Sequence, residues 1–232
     1  MKLKMEQLGI ILKMLISHSN KFIYVKTKKT AGSSIESIIV NNFFDHDIDI
    51  CTGSKIDGTP RVNIGDKLPN QPDGHRPWWM VQHLVTDEQW GSYYKFTVER
   101  NPWDKVVSEY YWKMAREPQL NKYNNDIDNF RYFVENVFGK WYAAPRDWEL
   151  YTYNNRLMVD QVIEYSKLNQ QLVQMFNEKL NLPLTEEMIS GTNKKSGYRK
   201  KHYTELYADD LIDIVANGYR KEIQQFGYKF GD

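Results

Sequence analysis

The sequence predicts a single α/β domain in which helices flank a central parallel sheet. Its 232 residues are 41% hydrophobic and 26% charged, the composition of a folded domain that can bury a sizeable core. Short apolar runs typical of buried strands alternate along the chain with longer stretches of helical periodicity. Strands that alternate with helices in this way are typical of a parallel sheet covered by helices.

The N-terminal half is predicted to contain two strands and a long loop. The apolar stretch Leu8–Ile16 is predicted to form a short helix that packs on the domain. Phe22–Val25 is a continuous apolar run, as expected for a strand buried on both faces, and a helical stretch near Ile35–Val40 follows it. Residues 53–77 are rich in Gly and Pro and predict a long loop, of the kind that often covers a binding site. Tyr93–Val98 predicts the second strand.

The C-terminal half is predicted to be mostly helical. Asn101 can cap a helix whose first residue is Pro102, which is a strong local start signal. The remaining predicted elements are a helix at about Asp128–Phe138, a strand at Gln161–Tyr165, and helices at about Leu168–Leu180 and Thr204–Phe226. Residues 1–232 are assigned to one domain.

Composition and charge argue against several classes of protein. The 31 Lys and Arg residues nearly balance 30 Asp and Glu, and the net charge of +1 argues against a nucleic-acid partner. The single cysteine, Cys51, excludes an internal disulfide framework and a Cys-rich zinc site. No apolar run approaches the roughly 20 residues of a membrane span, and the first residues lack a signal-peptide cleavage site. We therefore expect a soluble, cytoplasmic protein.

The segment Lys26–Ser34 lies where the first predicted strand turns into a helix. Backbone amides and hydroxyls of its small residues can surround an anion, and the helix N-terminus adds positive potential. The segment is not a Walker A loop, because its lysines precede Gly32. The alternative interpretation is a capped helix start with solvated lysines.

Arg100 directly follows the second predicted strand, beside another helix N-terminus. A guanidinium group can bind a phosphate through two hydrogen bonds, and Ser108 could reach the same anion if the ligand lies along the helix. The alternative is that Arg100 pairs with a nearby carboxylate. Two phosphate-type corners on neighbouring strands suggest a nucleotide that carries 5′ and 3′ phosphates.

Both corners resemble motifs of the PAPS-dependent sulfotransferases, in the carbohydrate or 2-O-sulfotransferase-like branch. Phe22–Glu36, with Lys29-Thr30-Ala31-Gly32-Ser33-Ser34, resembles the 5′-phosphosulfate loop, P-K-T-[AG]-[GS]-[TS]-S. Tyr94–Trp112 resembles the 3′-phosphate motif, R-[ND]-P-x-x-R-x-x-S-x-Y, and Tyr203–Phe230 resembles the closing helices. Lys28 stands where the family usually has proline, and Lys105 stands where it has arginine. Residues 41–80 and 115–155 match no motif of the family.

The resemblance implies a P-loop-NTPase-like sulfotransferase fold and a sulfotransferase activity. The donor would be 3′-phosphoadenosine 5′-phosphosulfate (PAPS), and the acceptor a hydroxyl of a saccharide or small metabolite, or an amine. In-line displacement builds negative charge on the bridging oxygen of the leaving phosphate, and the match assigns Lys29 as the cation that neutralises it, with no metal. The implied donor-binding residues are Lys28, Lys29, Thr30, Ala31, Gly32, Ser33, Ser34, Arg100, Ser108 and Arg199.

An acceptor hydroxyl loses its proton as it attacks, so the reaction needs a general base. The resemblance implies a histidine that precedes the strand of the 3′-phosphate motif, and His83 matches that position. His75, in the predicted loop, is the second candidate. A carboxylate such as Glu36 or Glu88 is the third.

Two further segments and two other classes of protein stay open. The basic run Lys194–Lys201 predicts one of two structures. It is either a lid that closes over the nucleotide or over an anionic acceptor, or a solvated loop. Trp141–Trp148 predicts either a sugar-stacking platform or core packing. A P-loop kinase is disfavoured because the Walker lysine and a Mg²⁺-ligand pattern are missing. A non-catalytic nucleotide-binding module is disfavoured by the near-neutral charge.

Overall fold

The computed structural model describes residues 12–45, 47–52, 74–75, 77–138, 147–190 and 201–232. The chain divides into two compact units. The first comprises Met1–Glu99 with Glu149–Asn193, and the second comprises Arg100–Trp148 with Lys194–Asp232. The assignment of one domain stays a prediction from the sequence.

The first unit is built on a mixed sheet. The strands are β1 Leu12–Ser17, β2 Phe22–Tyr24, β3 Ile50–Thr52, β4 Gly74–His75, β5 Tyr94–Glu99, β6 Thr152–Tyr153, β7 Arg156–Leu157 and β8 Gln161–Glu164. The main sheet has the order β3-β1-β2-β5-β8, with β4 also paired to β1, while β6 and β7 form a separate hairpin. β2, β5 and β8 are parallel, and β1 is antiparallel to both β2 and β3.

Helices flank this sheet and build most of the second unit. They are α1 Gly32–Phe43, α2 Trp78–Gln82, α3 Asp87–Ser92, α4 Pro102–Arg116, α5 Asp126–Phe133, α6 Trp148–Tyr151, α7 Leu168–Glu178, α8 Glu186–Ser190, α9 Asp209–Gly218 and α10 Arg220–Phe226. A π-helical turn, Val134–Phe138, continues α5, and a 3₁₀ turn, Tyr203–Leu206, precedes α9. The predicted α/β class is confirmed.

The prediction of an N-terminal helix is wrong for its described part. Leu12–Ser17 is a strand between β2 and β3, and the side chains of Leu15 and Ile16 are fully buried. A short apolar run fits a buried strand and a buried helix equally well by periodicity. Pairing on both sides decides between them here, because it satisfies the backbone polar groups of the buried run. Residues 8–11 lie outside the described residues.

The core of the first unit lies between the sheet and two helices. Tyr24 of β2 stacks on Phe96 of β5 with ring centroids 4.9 Å apart, and both rings are fully buried. Phe176 of α7 contacts Phe22 and Phe96 of the sheet and Phe43 of α1. This packing holds the parallel strands β2 and β5 in register, so their carboxyl ends share one edge of the sheet.

The second unit packs around α4. The Trp103 indole donates to the Ile212 carbonyl of α9 at 3.0 Å, and the Tyr207 hydroxyl donates to the Trp103 carbonyl at 2.9 Å. Asn101 caps α4 as predicted, because its side chain accepts from the Trp103 amide at 3.1 Å. The first turn of α4, which follows Arg100, is therefore fixed at both its cap and its buried face.

Candidate active site

The loop between β2 and α1 contains two left-handed residues that are not glycine. Lys29 and Ala31 both have φ of 59°, and Thr30 lies between them. Alternating right- and left-handed backbone turns successive N–H groups toward one point, which makes an anion-binding concavity. Such conformations cost about 1–3 kcal/mol each and concentrate at functional sites. The two positive φ angles on either side of Thr30, in a loop that follows a parallel strand, favour such a concavity.

Two threonines fix this loop to β5. The Thr27 hydroxyl donates to the Val98 carbonyl, and the Thr30 hydroxyl donates to the Thr27 carbonyl at 3.1 Å. In return, the Thr97 hydroxyl donates to the Val25 carbonyl at 2.7 Å. The Thr30 side chain is fully buried in this network. The hydroxyl of Thr30, a residue predicted to bind the donor, is therefore engaged within the protein.

A buried ion pair lies beneath the loop. The Lys26 ammonium is 2.5 Å from the Glu36 carboxylate, and their side chains are 6% and 0% exposed. A Cβ atom added to Gly32 would lie 2.5 Å from Cε of Lys26. Gly32 is therefore required for the space that Lys26 occupies and not for a left-handed backbone. Lys28 and Lys29, by contrast, are half-buried.

His75 contacts the root of the same loop. Its Nδ1 atom is 2.9 Å from the Lys26 carbonyl oxygen. A carbonyl oxygen can only accept, so Nδ1 is the donor and the neutral ring carries its lone pair on Nε2. The contact thus fixes the tautomer that could take a proton at Nε2.

The other candidate bases lie in different surroundings. His83 is exposed at the end of α2, with its ring 6.2 Å from that of Trp79. Glu88 is exposed in α3. Glu36 is fully buried and bound to Lys26, which does not fit a base that must meet an acceptor from solvent.

A buried carboxylate that the sequence reasoning missed lies at the end of β5. The Tyr151 hydroxyl donates to Glu99 at 2.9 Å, and both residues are buried. Nearby along the sheet edge, hydrogen bonds from Lys167 and Ser166 lower the pKa of Glu164 at the end of β8. The sequence signal for Glu99 was a charged residue at the end of the predicted strand Tyr93–Val98.

The second corner belongs to the second unit. Nε of Arg100 is 2.6 Å from the Asp104 carboxylate, and the arginine is nearly buried. Ser108 follows Asp104 by four residues, so the two share one face of α4. The carboxylate pairing considered as an alternative for Arg100 is thus present. It engages the Nε–H group of the guanidinium and so orients that group.

Two more groups of this corner have defined roles. The Lys105 ammonium is 2.9 Å from the Asp147 carboxylate, and both side chains are fully buried. The lysine that replaces the usual arginine is therefore structural.

Burial, followed by the charges of Asp104 and Tyr203, raises the pKa of Tyr207 well above its ordinary value.

Some predicted site residues lie outside the described residues. They are Arg199, most of the basic run Lys194–Lys201, and residues 141–146 of the possible sugar-stacking segment. Lys201 is described and is exposed.

Comparison with known proteins identifies the class. The model of the Sulfotransferase family matches residues 12–229, and the chain therefore belongs to the sulfotransferase family. A protein of Archaeoglobus fulgidus described as "Uncharacterized protein" is 28% identical over 127 residues, which cover 53% of this chain and 98% of that relative. No solved structure matches significantly.

The sulfotransferase resemblance of the two corners is thus confirmed at the level of the family. The match extends from β1 through the last helix and so includes both corners. Within the described ranges, none of the helices has the length and apolar character needed to cross a membrane.

Proposed function

We propose that this sulfotransferase moves a sulfuryl group from PAPS to an acceptor hydroxyl. The observation that carries the proposal is the left-handed backbone of Lys29 and Ala31, on either side of Thr30, in the loop that follows β2. Left-handed residues in such a loop favour converging amide donors, and the segment resembles the 5′-phosphosulfate loop of the family.

In this proposal the first corner binds the 5′ end of the donor. The amides of Thr30–Ser33 and the hydroxyls of Ser33 and Ser34 hold the 5′ phosphate, with Lys28 beside them. The Ser34 amide is excluded because it donates to the Ala31 carbonyl at 2.8 Å. The Lys29 ammonium neutralises the charge that develops on the bridging oxygen when the sulfur–oxygen bond breaks. The buried Lys26–Glu36 pair supports the loop from below and does not contact the donor.

The second corner binds the 3′ phosphate, through Arg100 and Ser108 and, by the sequence resemblance, Arg199. Asp104 holds Nε of Arg100 and so orients the guanidinium group. The support for one nucleotide at both corners is the order of the two motifs within the matched family.

Calorimetric titration tests the donor assignment. Arg100→Ala should weaken binding of 3′,5′-bisphosphoadenosine by about 2–4 kcal/mol, as for a lost charge-assisted pair, and change AMP binding much less. Lys113→Ala, which removes a cation of the same helix that pairs with Glu117, is the matched control and should leave both affinities unchanged. Equal weakening of both ligands by Arg100→Ala would contradict the assignment. Tighter binding of ATP with Mg²⁺ than of the bisphosphate would favour a kinase.

The acceptor proton is taken by a histidine in this proposal. The motif match favours His83, whereas the hydrogen bond to the Lys26 carbonyl ties His75 to the phosphate loop and fixes its tautomer. We keep His83 as the proposed base and His75 as the second candidate.

Paired alanine variants decide between the two histidines. The variant that lacks the base should lose about 10²–10⁴-fold in kcat, while its affinity for 3′,5′-bisphosphoadenosine stays near that of the wild type. The other variant is the matched control. If both variants keep more than about a tenth of wild-type turnover, neither histidine is the base.

A further inference from the structure

A polar and aromatic surface surrounds the β6–β7 hairpin of the first unit. Tyr153 is 58% exposed, and its ring lies 5.7 Å from the half-buried ring of Trp78. The turn residues Asn154 and Asn155 are exposed, as is Arg156, the cross-strand partner of Tyr153. We call these five residues the hairpin surface.

The hairpin surface has a fixed backbone. Asn154 and Asn155 have φ of 48° and 59°, the left-handed pair that a tight two-residue turn requires. The Trp78 indole donates to the Thr152 carbonyl at 3.0 Å, which ties α2 to the hairpin. The aromatic and amide groups are thus presented on a rigid element rather than on a long loop.

The hairpin is anchored at the same sheet edge as the phosphate loop. Tyr151, two residues before Tyr153, donates to Glu99 at the end of β5. Thr27 of the loop donates to the carbonyl of Val98, the residue before Glu99. Consecutive Cα atoms are about 3.8 Å apart, so the two anchor points are adjacent.

A second connection, through His75 and Trp78, also places the hairpin surface close to the loop. His75 binds the Lys26 carbonyl, and Trp78 follows His75 by three residues. Three residues span at most about 11 Å, which bounds the distance between the Cα atoms of His75 and Trp78. The hairpin surface therefore lies within the range of an extended ligand that reaches the loop.

We infer that the hairpin surface binds an oligosaccharide acceptor, an inference that rests on the proposed sulfuryl transfer. A sugar ring presents an apolar C–H face, which suits an exposed aromatic ring, and hydroxyls that need both donors and acceptors. Each asparagine amide supplies both, and the Arg156 guanidinium suits an acidic sugar. A small aryl acceptor would instead need an enclosed cleft that buries about 70–90% of its surface, whereas Tyr153 is open to solvent.

Saturation-transfer NMR on the full chain with saturating 3′,5′-bisphosphoadenosine tests the inference. The probes are cellotetraose, tetragalacturonate and, as an aryl compound, 2-naphthol. At least one tetrasaccharide should bind the wild type. Tyr153→Ala should weaken that binding about tenfold, the scale of a lost stacking contact, while Tyr153→Phe keeps the ring and most of the affinity. Tyr123→Ala is the matched control, since Tyr123 is 51% exposed but lies in the second unit.

The outcomes separate this inference from the proposed function. If neither tetrasaccharide binds, if only 2-naphthol binds, or if Tyr153→Ala binds as the wild type does, the hairpin surface is not the acceptor site. Titration with 3′,5′-bisphosphoadenosine alone reports on the donor site, and Tyr153→Ala should leave it unchanged. A wild type that fails to bind the bisphosphate would instead overturn the proposed function.

Discussion

Replacing Gly32 by alanine should destabilise the protein, although alanine is the better helix former. The added Cβ atom would lie 2.5 Å from Cε, 2.8 Å from Cγ and 3.1 Å from Cδ of Lys26. Lys26 is nearly buried and its ammonium is bound to Glu36, so the side chain cannot move aside without loss. The clash follows from the side chain that passes beneath the glycine.

The magnitude lies between two limiting responses. If Lys26 stays, overpacking costs about 1–3 kcal/mol. If Lys26 leaves, Glu36 is a buried charge without its partner, and breaking such a pair costs about 3–5 kcal/mol. Alanine regains up to about 1 kcal/mol in helix propensity. After this offset the two responses cost about 0–2 and about 2–4 kcal/mol, so we expect Gly32→Ala to lower the free energy of unfolding by about 2 kcal/mol.

Urea denaturation followed by circular dichroism measures this change as a lower midpoint with an unchanged slope. Gly91→Ala in α3 is the matched control, because its Cβ would meet no atom within 4 Å, and it should stabilise by about 0.5–1 kcal/mol. In a Lys26→Ala, Glu36→Gln background the obstacle is gone, so Gly32→Ala should cost less than about 0.5 kcal/mol. An equal cost in both backgrounds would refute the steric explanation.

Two further predictions concern the site and the core. Lys29→Ala should lower kcat about 10²–10³-fold and raise the donor KM much less, whereas Lys28→Ala should raise the donor KM and leave kcat near that of the wild type; unchanged turnover in Lys29→Ala would move the cation elsewhere. Burial, then the charges of Asp126 and Tyr111, raises the pKa of Tyr110, as burial does for Tyr207. The stability that the neutral side chains of Tyr110 and Tyr207 contribute is complete below the ordinary tyrosine pKa of about 10. It is lost as the pH rises through the raised pKa values of the folded protein. In titrations followed at 295 nm, Tyr110→Phe and Tyr207→Phe should each remove one tyrosine from the set that ionises only on unfolding. If the absorbance change that accompanies unfolding at high pH is as large in the variants as in the wild type, this prediction is wrong.

Local sequence signals were sufficient for both corners of the candidate site. The apolar run Phe22–Val25 followed by small residues predicted a strand, a loop and a helix, and α1 begins at Gly32. The Asn101-Pro102 pair predicted the start of α4 to the residue. Both signals work because capping and burial depend on neighbours within a few positions of the chain.

The parts that sequence reasoning missed depend on distant contacts. Leu12–Ser17 is a strand because of its partners β2 and β3, which no periodicity encodes. The left-handed backbone of Lys29 and Ala31 contradicts the local preference of both residue types, and tertiary contacts maintain it. The Lys26–Glu36 pair joins the loop after β2 to α1, and neither residue signals it alone.

In the proposed reaction, β5 organises the groups that the first unit contributes. Thr97 and Val98 of β5 bind the phosphate-loop segment through Val25 and Thr27, and Glu99 binds the hairpin through Tyr151. An in-line transfer needs donor and acceptor held in one orientation, and fixed geometry can supply much of the rate enhancement. In the proposed reaction, the loop that binds the donor and the hairpin that binds the acceptor are anchored to consecutive residues of a buried strand, which meets that need. Glu99→Gln should therefore raise the acceptor KM more than the donor KM, because it loosens the hairpin and leaves the Val98 contact in place.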